Sequence, residues 1–485
     1  LKIVTFDIET EEIPPRGHRY INTIWCIVCK ELGGETTVFT KDGEFGYEPL
    51  EKFKEYVKDV DLWVAHNGLS FDVPVVNRLL NANIEESRVV DTFVVSRLVN
   101  YSSYSTHSLD ELGVRLGFRK IKFNDWSQLT QEMIDYCIQD VEVNERVYDH
   151  YKRFIWDEEW SDAMRLEHDM VLVNEDMSSN GFLFNVPRAR ELLTEIEARL
   201  KTLKDLMQES WPPELEEVNR IKYVVRKDGE LGVHTQRAID TWPKTKLDGD
   251  DLVCYDYISF NPGSTKDRIE KLWEAGWQPV EKTKTHQEFS RDAGVGKKWR
   301  KTRLTQKLYD EKKEHFEFYG WKVNDFNLRT LPESAPEGAK RLAEWLTLEG
   351  RRSSLAEWLG VVQEDSRIHG KFWNIGAWTH RMSHSAPNQA NIFSPWHGGE
   401  PTNPIEQVKA DYDTELRSLW TTDKVLVGTD ADGIQLRVLA HYMESEEYAE
   451  AILNGRKEDE TDIHNLNKRA LGLNHLIRDD AKTFS

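Results

Sequence analysis

Residues 3–9 read Ile-Val-Thr-Phe-Asp-Ile-Glu, an apolar run whose end carries two carboxylates one residue apart. In a strand, residues two apart point to the same side, so Asp7 and Glu9 share a face. Carboxylates held side by side repel unless a dication lies between them or both face solvent. A chain that opens this way must either solvate the strand end or close an acidic, cation-binding cleft over it. Acids farther along favour the cleft. Asp72 opens a helical run soon after Ala65-His66-Asn67-Gly68, and Asp140 follows Tyr136 by four in another. Residues four apart share one helix face.

Around these acids, residues 1 to about 155 alternate strand and helix patterns. Strands are expected at 2–7, 22–31, 36–40 and 61–65, and helices at 48–58, 73–81, 107–116 and 130–153. That alternation indicates an α/β domain. Two long helices follow, at 165–177 and 187–211, the second opened by Pro187 and stopped by Pro212-Pro213. Residues 212–256 read as loop-rich and mixed in charge. Helices are expected at 265–275, 335–360, 434–456 and from 461 onward, with a basic stretch at 282–307 around Trp299. Val425-Leu426-Val427-Gly428-Thr429 reads as a buried strand leading into Asp430.

The 485 residues suffice for two to four domains, and 17 Trp with 19 Phe supply apolar cores. No apolar run approaches the roughly 20 residues of a membrane helix, so the expectation is a soluble, cytoplasmic protein without a membrane partner. The net charge of −21 argues against a uniformly basic nucleic-acid surface and leaves local patches to do any such binding. Cys26 and Cys29 have the spacing of half a zinc site but no second pair, and read as buried strand thiols.

Four carboxylates and a phenol converging in a cleft need cations. Two Mg²⁺ or Mn²⁺ ions about 4 Å apart stabilise both the attacking and the leaving oxygen of a phosphoryl displacement, which makes this a candidate site for phosphodiester hydrolysis. The segments FDIET, HNGLSFD and YCIQD resemble, in order and spacing, the three motifs of the DEDDy 3'→5' proofreading exonucleases on an RNase H-like fold. The resemblance implies Asp7, Glu9, Asp72 and Asp140 as ligands of two Mg²⁺ or Mn²⁺, and Tyr136 as the group that positions water. Asn67 and Thr10 would contact the DNA terminus or order the site.

Further on, THRMSHSAPNQANI, TDADGIQLRVLAHYM, DIH and RDDAKTF occur in this order. Together they resemble the polymerase domain of family A DNA polymerases. The segments FNPGSTKDRI, EAGW and RIHGKF resemble the replicative enzymes of short-tailed T-odd bacteriophages. The resemblance implies Asp430 as a catalytic Mg²⁺ ligand beside the Ala431 carbonyl, with two ions in this site as well. Gln435, His464, Arg478 and Lys482 would meet the dNTP, and Arg381 the primer-template. Asn261 and Ser264 would belong to a thumb tip that follows the duplex, and Lys297, Lys298 and Arg300 to a phosphate-contacting surface. The implied architecture is an α/β RNase H-like exonuclease domain (1–155), a mainly helical thumb with connecting helices (156–365, insertion 212–256), and the start of an α+β palm and fingers (366–485).

This chain departs from the family in two places. Gln435 stands where the family has Glu, which puts sugar discrimination in question. The fingers tyrosine and the second palm aspartate do not follow before Ser485, so the expectation is a complete exonuclease and an incomplete nucleotidyl-transfer site, as in a fragment or a split polymerase. Expected partners are primer-template and single-stranded DNA, dNTPs, a thioredoxin-type processivity factor at 212–256, and a complementary C-terminal polypeptide, in a bacterial host cytoplasm. The alternatives are an exonuclease or DNA-binding subunit of a split replicase, and a stand-alone DEDDy nuclease.

Overall fold

The computed structural model describes residues 1–14, 17–431, 433–456, 458–470 and 472. Residues 1–421 form one compact unit and the residues after them a second.

The first unit opens with a six-stranded sheet. Its strands are β1 (Ile3–Thr10), β2 (Ile24–Glu31), β3 (Thr36–Thr40), β4 (Glu48–Pro49), β5 (Leu62–Ala65) and β6 (Val89–Asp91), in spatial order β4-β3-β2-β1-β5-β6. β1 pairs antiparallel with β2 and parallel with β5. The register sets Asp7 opposite Val28 and Glu9 opposite Cys26, with an irregularity just after Glu9. Five helices accompany the sheet: α1 (Phe53–Val57), α2 (Asp72–Leu80), α3 (Thr92–Asn100), α4 (Leu109–Arg115) and α5 (Gln131–Ile155). Thr130 caps α5 by accepting from the Met133 N–H, which fixes where Tyr136 and Asp140 begin their turns.

The sheet is apolar on both faces. Val4, Phe6, Trp63 and Phe53 fill one side, while Cys26, Val28, Met133, Ile134 and Cys137 fill the other, beneath α5. Cys26 and Cys29 fall in opposite cores because an odd spacing in a strand reverses the side chain. All four cysteines are free and buried, as strand and core thiols would be. The expectations above passed over β6 and α3, a short apolar strand running straight into a helix whose N-cap is Asp91.

The same unit continues into helices α6 (Glu158–Asn180) and α7 (Val186–Ser210), with β7 (Phe182–Phe184) between them. The stretch read as loop, 212–256, is instead an antiparallel sheet. β8 (Glu214–Lys222), β9 (Lys244–Asp248) and β10 (Asp251–Ile258) lie in the order β8-β10-β9, with α8 (Val233–Thr241) packed through Ala238 against Leu252 and Cys254. Its period-two pattern is masked by charge on the solvated face, where Arg220 meets Asp248 at 2.7 Å and Lys222 meets Asp251 at 2.7 Å.

Beyond it come α9 (Thr265–Glu274), α10 (Lys284–Asp292), the hairpin β11 (Lys298–Trp299) and β12 (Thr302–Arg303), α11 (Gln306–Tyr319), α12 (Asp325–Leu328) and α13 (Glu337–Val361). α13 packs along α7 around Leu192, Ile196, Leu348 and Leu355. Strands β13 (Arg367–Ile368), β14 (Lys371–Trp373), β15 (Ser383–Ser385) and β16 (Trp420–Thr421), with α14 (Pro404–Val408) and α15 (Thr414–Ser418), complete the unit. β7 lies between β13 and β16.

In the second unit the expected buried strand at 425–429 is not formed. Val425, Leu426 and Val427 are 82, 59 and 85% exposed, and the stretch is irregular. Apolar side chains alone do not make a strand; its N–H and C=O groups need a neighbouring ladder, and among the described residues none lies beside it. Helices α16 (Ile434–Met443), α17 (Glu446–Leu453) and α18 (Ile463–Ala470) follow. The run read as one helix over 434–456 breaks at Glu444, in the left-handed region, and Ser445 caps the next helix.

Candidate active site

Asp7 and Glu9 reach the same side of the central strand, and three other segments close on them. Asp72 is the first residue of α2, and its Oδ1 accepts the Ile8 N–H at 3.1 Å, which ties that helix start to β1. Asp140 comes from α5, whose packing on β1 and β2 brings it in from the other side. The irregular connection before α5 contributes Lys120 and Trp126. The Trp126 indole N–H donates to Glu9 Oε2 at 3.2 Å, and Lys120 forms an ion pair with Asp140 Oδ2.

The turn that presents Asp72 is built with little room. A Cβ on Gly68 would stand 2.2 Å from the Ala65 Cβ, so only glycine fits there. Asn67 is left-handed, with φ 63°, and its N–H donates to Asp91 Oδ1 at 2.8 Å. Asp91 also accepts from the Leu69 N–H at 3.1 Å and the Phe93 N–H at 3.0 Å. Asp91 thus organises the loop between Ala65 and Asp72.

Burial and mutual repulsion dominate the electrostatics. Glu9, Asp72 and Asp140 are only 7, 3 and 4% exposed. Burial, then the Asp140 charge, pushes the Asp7 carboxyl up to about 7. Burial and the Asp7 charge hold both Glu9 and Asp72 well above the carboxylate range. Asp140 is raised by burial in spite of Lys120. Burial disfavours the Lys120 cation, yet Asp140 outweighs it and holds the ammonium above the ordinary lysine value. Burial and the Asp140 charge likewise keep the Tyr136 phenol protonated.

Hard divalent cations fit these residues. All four carboxylates offer oxygen donors, and one oxygen of Asp140, Oδ1, is buried with no hydrogen-bond partner. Asp7 and Glu9 place ligand atoms within 4.8 Å of each other. A cavity of about 250 Å³ is lined among others by Asn67, Ser70, Phe71, Asp91, His369 and Trp373, and by none of the four carboxylates.

The second expected site is not closed in this way. Asp430, Ala431 and Gln435 are exposed. The Ala431 carbonyl accepts the Ile434 N–H at 3.3 Å, next to the start of α16, and Gln435 lies in that helix's first turn. His464 lies in α18, with its backbone N–H on Asp462 Oδ1 at 3.1 Å. Arg478 and Lys482 lie outside the described residues. Arg381 is exposed in the loop before β15, its carbonyl accepting from Gly376 and Ala377. Ser264 caps α9 through the Asp267 N–H, and Asn261 Oδ1 accepts the Gly263 N–H at 2.9 Å, so both shape the turn ahead of α9. Lys297 and Lys298 are exposed at the β11–β12 hairpin, while Arg300 is engaged by Glu288 at 3.1 Å.

Residues 4–152 match the RNase_H superfamily and residues 259–484 match DNA polymerase family A. Residues 259–484 are thus a DNA polymerase family A domain, behind an RNase H-like one. The chain is 28% identical to the DNA-directed DNA polymerase of Enterobacteria phage T3, an alignment covering 92% of it and 71% of the phage enzyme. It is 27% identical to the DNA-directed DNA polymerase of Escherichia phage T7, covering 95% and 72%. The POL domain of Pol1 from M. smegmatis, solved in complex with DNA primer-template and dNTP, has the same fold at TM-score 0.56 and 15% identity, with 99% of this chain and 66% of that one covered. No helix among the described residues is long and apolar enough to cross a membrane.

Lys120, Trp126 and Asp91 are site residues that sequence reading missed. Lys120 and Trp126 lie in an irregular connection, where no periodicity points to a cleft. Asp91 carried a usable signal, an aspartate between an apolar run and a helix start.

Proposed function

We propose that the chain is the N-terminal portion of a phage-type replicative DNA polymerase. Its RNase H-like domain removes mispaired 3' nucleotides by hydrolysing the terminal phosphodiester of single-stranded DNA. The observation that carries this reading is the convergence of Asp7, Glu9, Asp72 and Asp140 with an unpartnered buried Asp140 oxygen.

Asp7, Glu9, Asp72 and Asp140 would hold two Mg²⁺ or Mn²⁺ ions, whose chemistry is to stabilise charge on the attacking and leaving oxygens. The chain's own part is positional. Tyr136, kept protonated by burial and the Asp140 charge and with the Lys120 ammonium 4.5 Å from its ring centre, orients the attacking water through its phenol. Trp126 fixes the Glu9 carboxylate. Asn67 lines a cavity with Phe71 and Trp373, aromatic faces on which unpaired bases stack, and this cavity would take the single strand that leads to the 3' terminus.

In the nucleotidyl-transfer part, Asp430 and the Ala431 carbonyl would take the metal ions, and Gln435, His464, Arg478 and Lys482 the dNTP. Arg381, Asn261, Ser264, Lys297, Lys298 and Arg300 would contact DNA. We assign 1–155 to the exonuclease, 156–365 to the thumb and connecting helices, and 366–485 to palm and fingers. The folded insertion 212–256 is the place for a processivity factor of thioredoxin type, and a complementary polypeptide would complete the fingers and palm. The setting is the cytoplasm of a bacterial host.

Asp7→Ala tests the nuclease. It abolishes Mg²⁺-dependent release of mononucleotides from 3'-labelled single-stranded DNA; full release by the variant overturns the assignment. Primer extension, by the chain alone and with a complementary C-terminal polypeptide, tests the polymerase part.

A further inference from the structure

Cys137 is the neighbour of Tyr136 on α5, and its thiol lies against the carboxylate cluster. Its Sγ is 3.6 Å from Asp7 Oδ2 and 3.5 Å from the Asp7 carbonyl oxygen. Ligand atoms of Asp7, Glu9 and Cys137 lie within 4.8 Å of one another. Three residues on along the same helix, the buried Asp140 Oδ1 has no hydrogen-bond partner.

We propose that Asp7, Glu9 and Cys137 form a mixed carboxylate–thiolate site that takes a thiophilic divalent ion of the Zn²⁺ class. Mg²⁺ binds oxygen donors, whereas a thiolate selects Zn²⁺ and its heavier congener. A tetrahedral ion with a metal–sulfur bond of about 2.3 Å and a metal–oxygen bond of about 2.1 Å spans a sulfur-to-oxygen distance of roughly 3.6 Å. That is the separation of Cys137 Sγ and Asp7 Oδ2. Glu9, held by the Trp126 indole at 3.2 Å, is the third ligand, its oxygen within 4.8 Å of the other two ligand atoms, and water completes the tetrahedron. On binding, the Cys137 S–H bond breaks, the sulfur–metal bond forms, and the proton passes to solvent; no electron is transferred.

The functional consequence rests on the nuclease reading above. A tetrahedral ion drawn toward Cys137 takes the Asp7 and Glu9 oxygens away from the hard ions, so the thiol acts as a reversible off-switch of 3'-end hydrolysis. Of the other buried thiols, Cys29 and Cys254 lie in apolar clusters away from these carboxylates, whereas Cys26, opposite Glu9 in the sheet, packs in the same cluster as Cys137.

The test is a Cd²⁺ titration of the full chain after chelation and dialysis, read by the ultraviolet thiolate-to-metal charge-transfer absorption. Wild type develops this band with a single equivalent. Cys137→Ser loses it and binds Cd²⁺ more than about tenfold more weakly, while Cys26→Ser and Cys254→Ser keep it. An unchanged band in Cys137→Ser, or no band in wild type, overturns the proposal. Should Cys137→Ser fail to fold, Asp7→Asn carries the test, because it keeps every thiol; a band undiminished in that variant also overturns it. Cleavage does not enter this measurement, so a failure here is distinct from a failure of the nuclease assignment.

Discussion

Lys120 donates to Asp140 Oδ2 while its ammonium lies 4.5 Å from the centre of the Tyr136 ring. A monovalent cation from a loop therefore holds the carboxylate and the phenol that the nuclease reading assigns to metal and water. It neutralises Asp140 when no dication is bound and competes with one for the same oxygen. Lys120→Met is expected to lower the Mg²⁺ concentration giving half-maximal cleavage about three- to tenfold, the scale of about 1 kcal/mol for a partly exposed pair. A Mg²⁺ titration of cleavage of 3'-labelled single-stranded DNA measures this. An unchanged or raised half-saturation point would show that Lys120 does not compete.

The Asp7 carboxyl titrates near 7 instead of near 4, because of burial first and Asp140 second. A folded-state pKa raised above the unfolded value means that the folded chain holds more protons. Stability from this group is therefore fully present below about pH 4 and is lost as pH rises toward 7. In EDTA, thermal melts of wild type should fall between pH 5 and pH 8. Asp7→Asn should flatten that fall and raise the melting temperature at pH 8 by on the order of 3 °C. Mg²⁺ should have the same effect on wild type. A metal-free melting temperature that does not change over this range would contradict the buried cluster.

Asp91 accepts three backbone N–H groups, from Asn67, Leu69 and Phe93. Asp91→Ala leaves buried donors unpaired, at about 1–3 kcal/mol each for those left unsatisfied, and frees the turn that presents Asp72. Urea unfolding of the variant should lose at least about 2 kcal/mol, and hydrolysis should fall while Tyr136 and Asp140 stay untouched. If hydrolysis persists at the wild-type rate in a destabilised variant, the loop does not position Asp72.

Arg351 on α13 makes a bidentate pair with Asp413, at 2.9 and 3.0 Å, and both side chains are buried. The guanidinium also lies 4.6 Å from the Phe393 ring centre. Arg351→Met leaves an unpaired buried carboxylate and should cost about 3–5 kcal/mol. Arg351→Met with Asp413→Leu should recover most of that in denaturant titrations. Failure of the double variant to recover would point to the Phe393 contact.

Much of the candidate site could be read along the chain. Asp7 and Glu9 needed only the alternation of a strand, and Tyr136 and Asp140 only the turn of a helix. The folded insertion was missed because Arg220 and Lys222 answer Asp248 and Asp251 across strands, a pairing invisible within any one segment. Val425–Val427 misled for the opposite reason: the side chains suit a strand, but the ladder that would bury them lies elsewhere or nowhere among the described residues.

What the sequence determined by itself is which acids and which phenol are set to meet at the candidate site, because motif order and local periodicity are properties of the chain. Only the tertiary structure decided their electrostatics. The Lys120 pairing with Asp140, the Asp91 knot behind Asn67 and the Cys137 thiol against Asp7 arise where a loop, a strand and a helix distant in sequence meet. Charge and burial act through space, and no spacing along the chain encodes them.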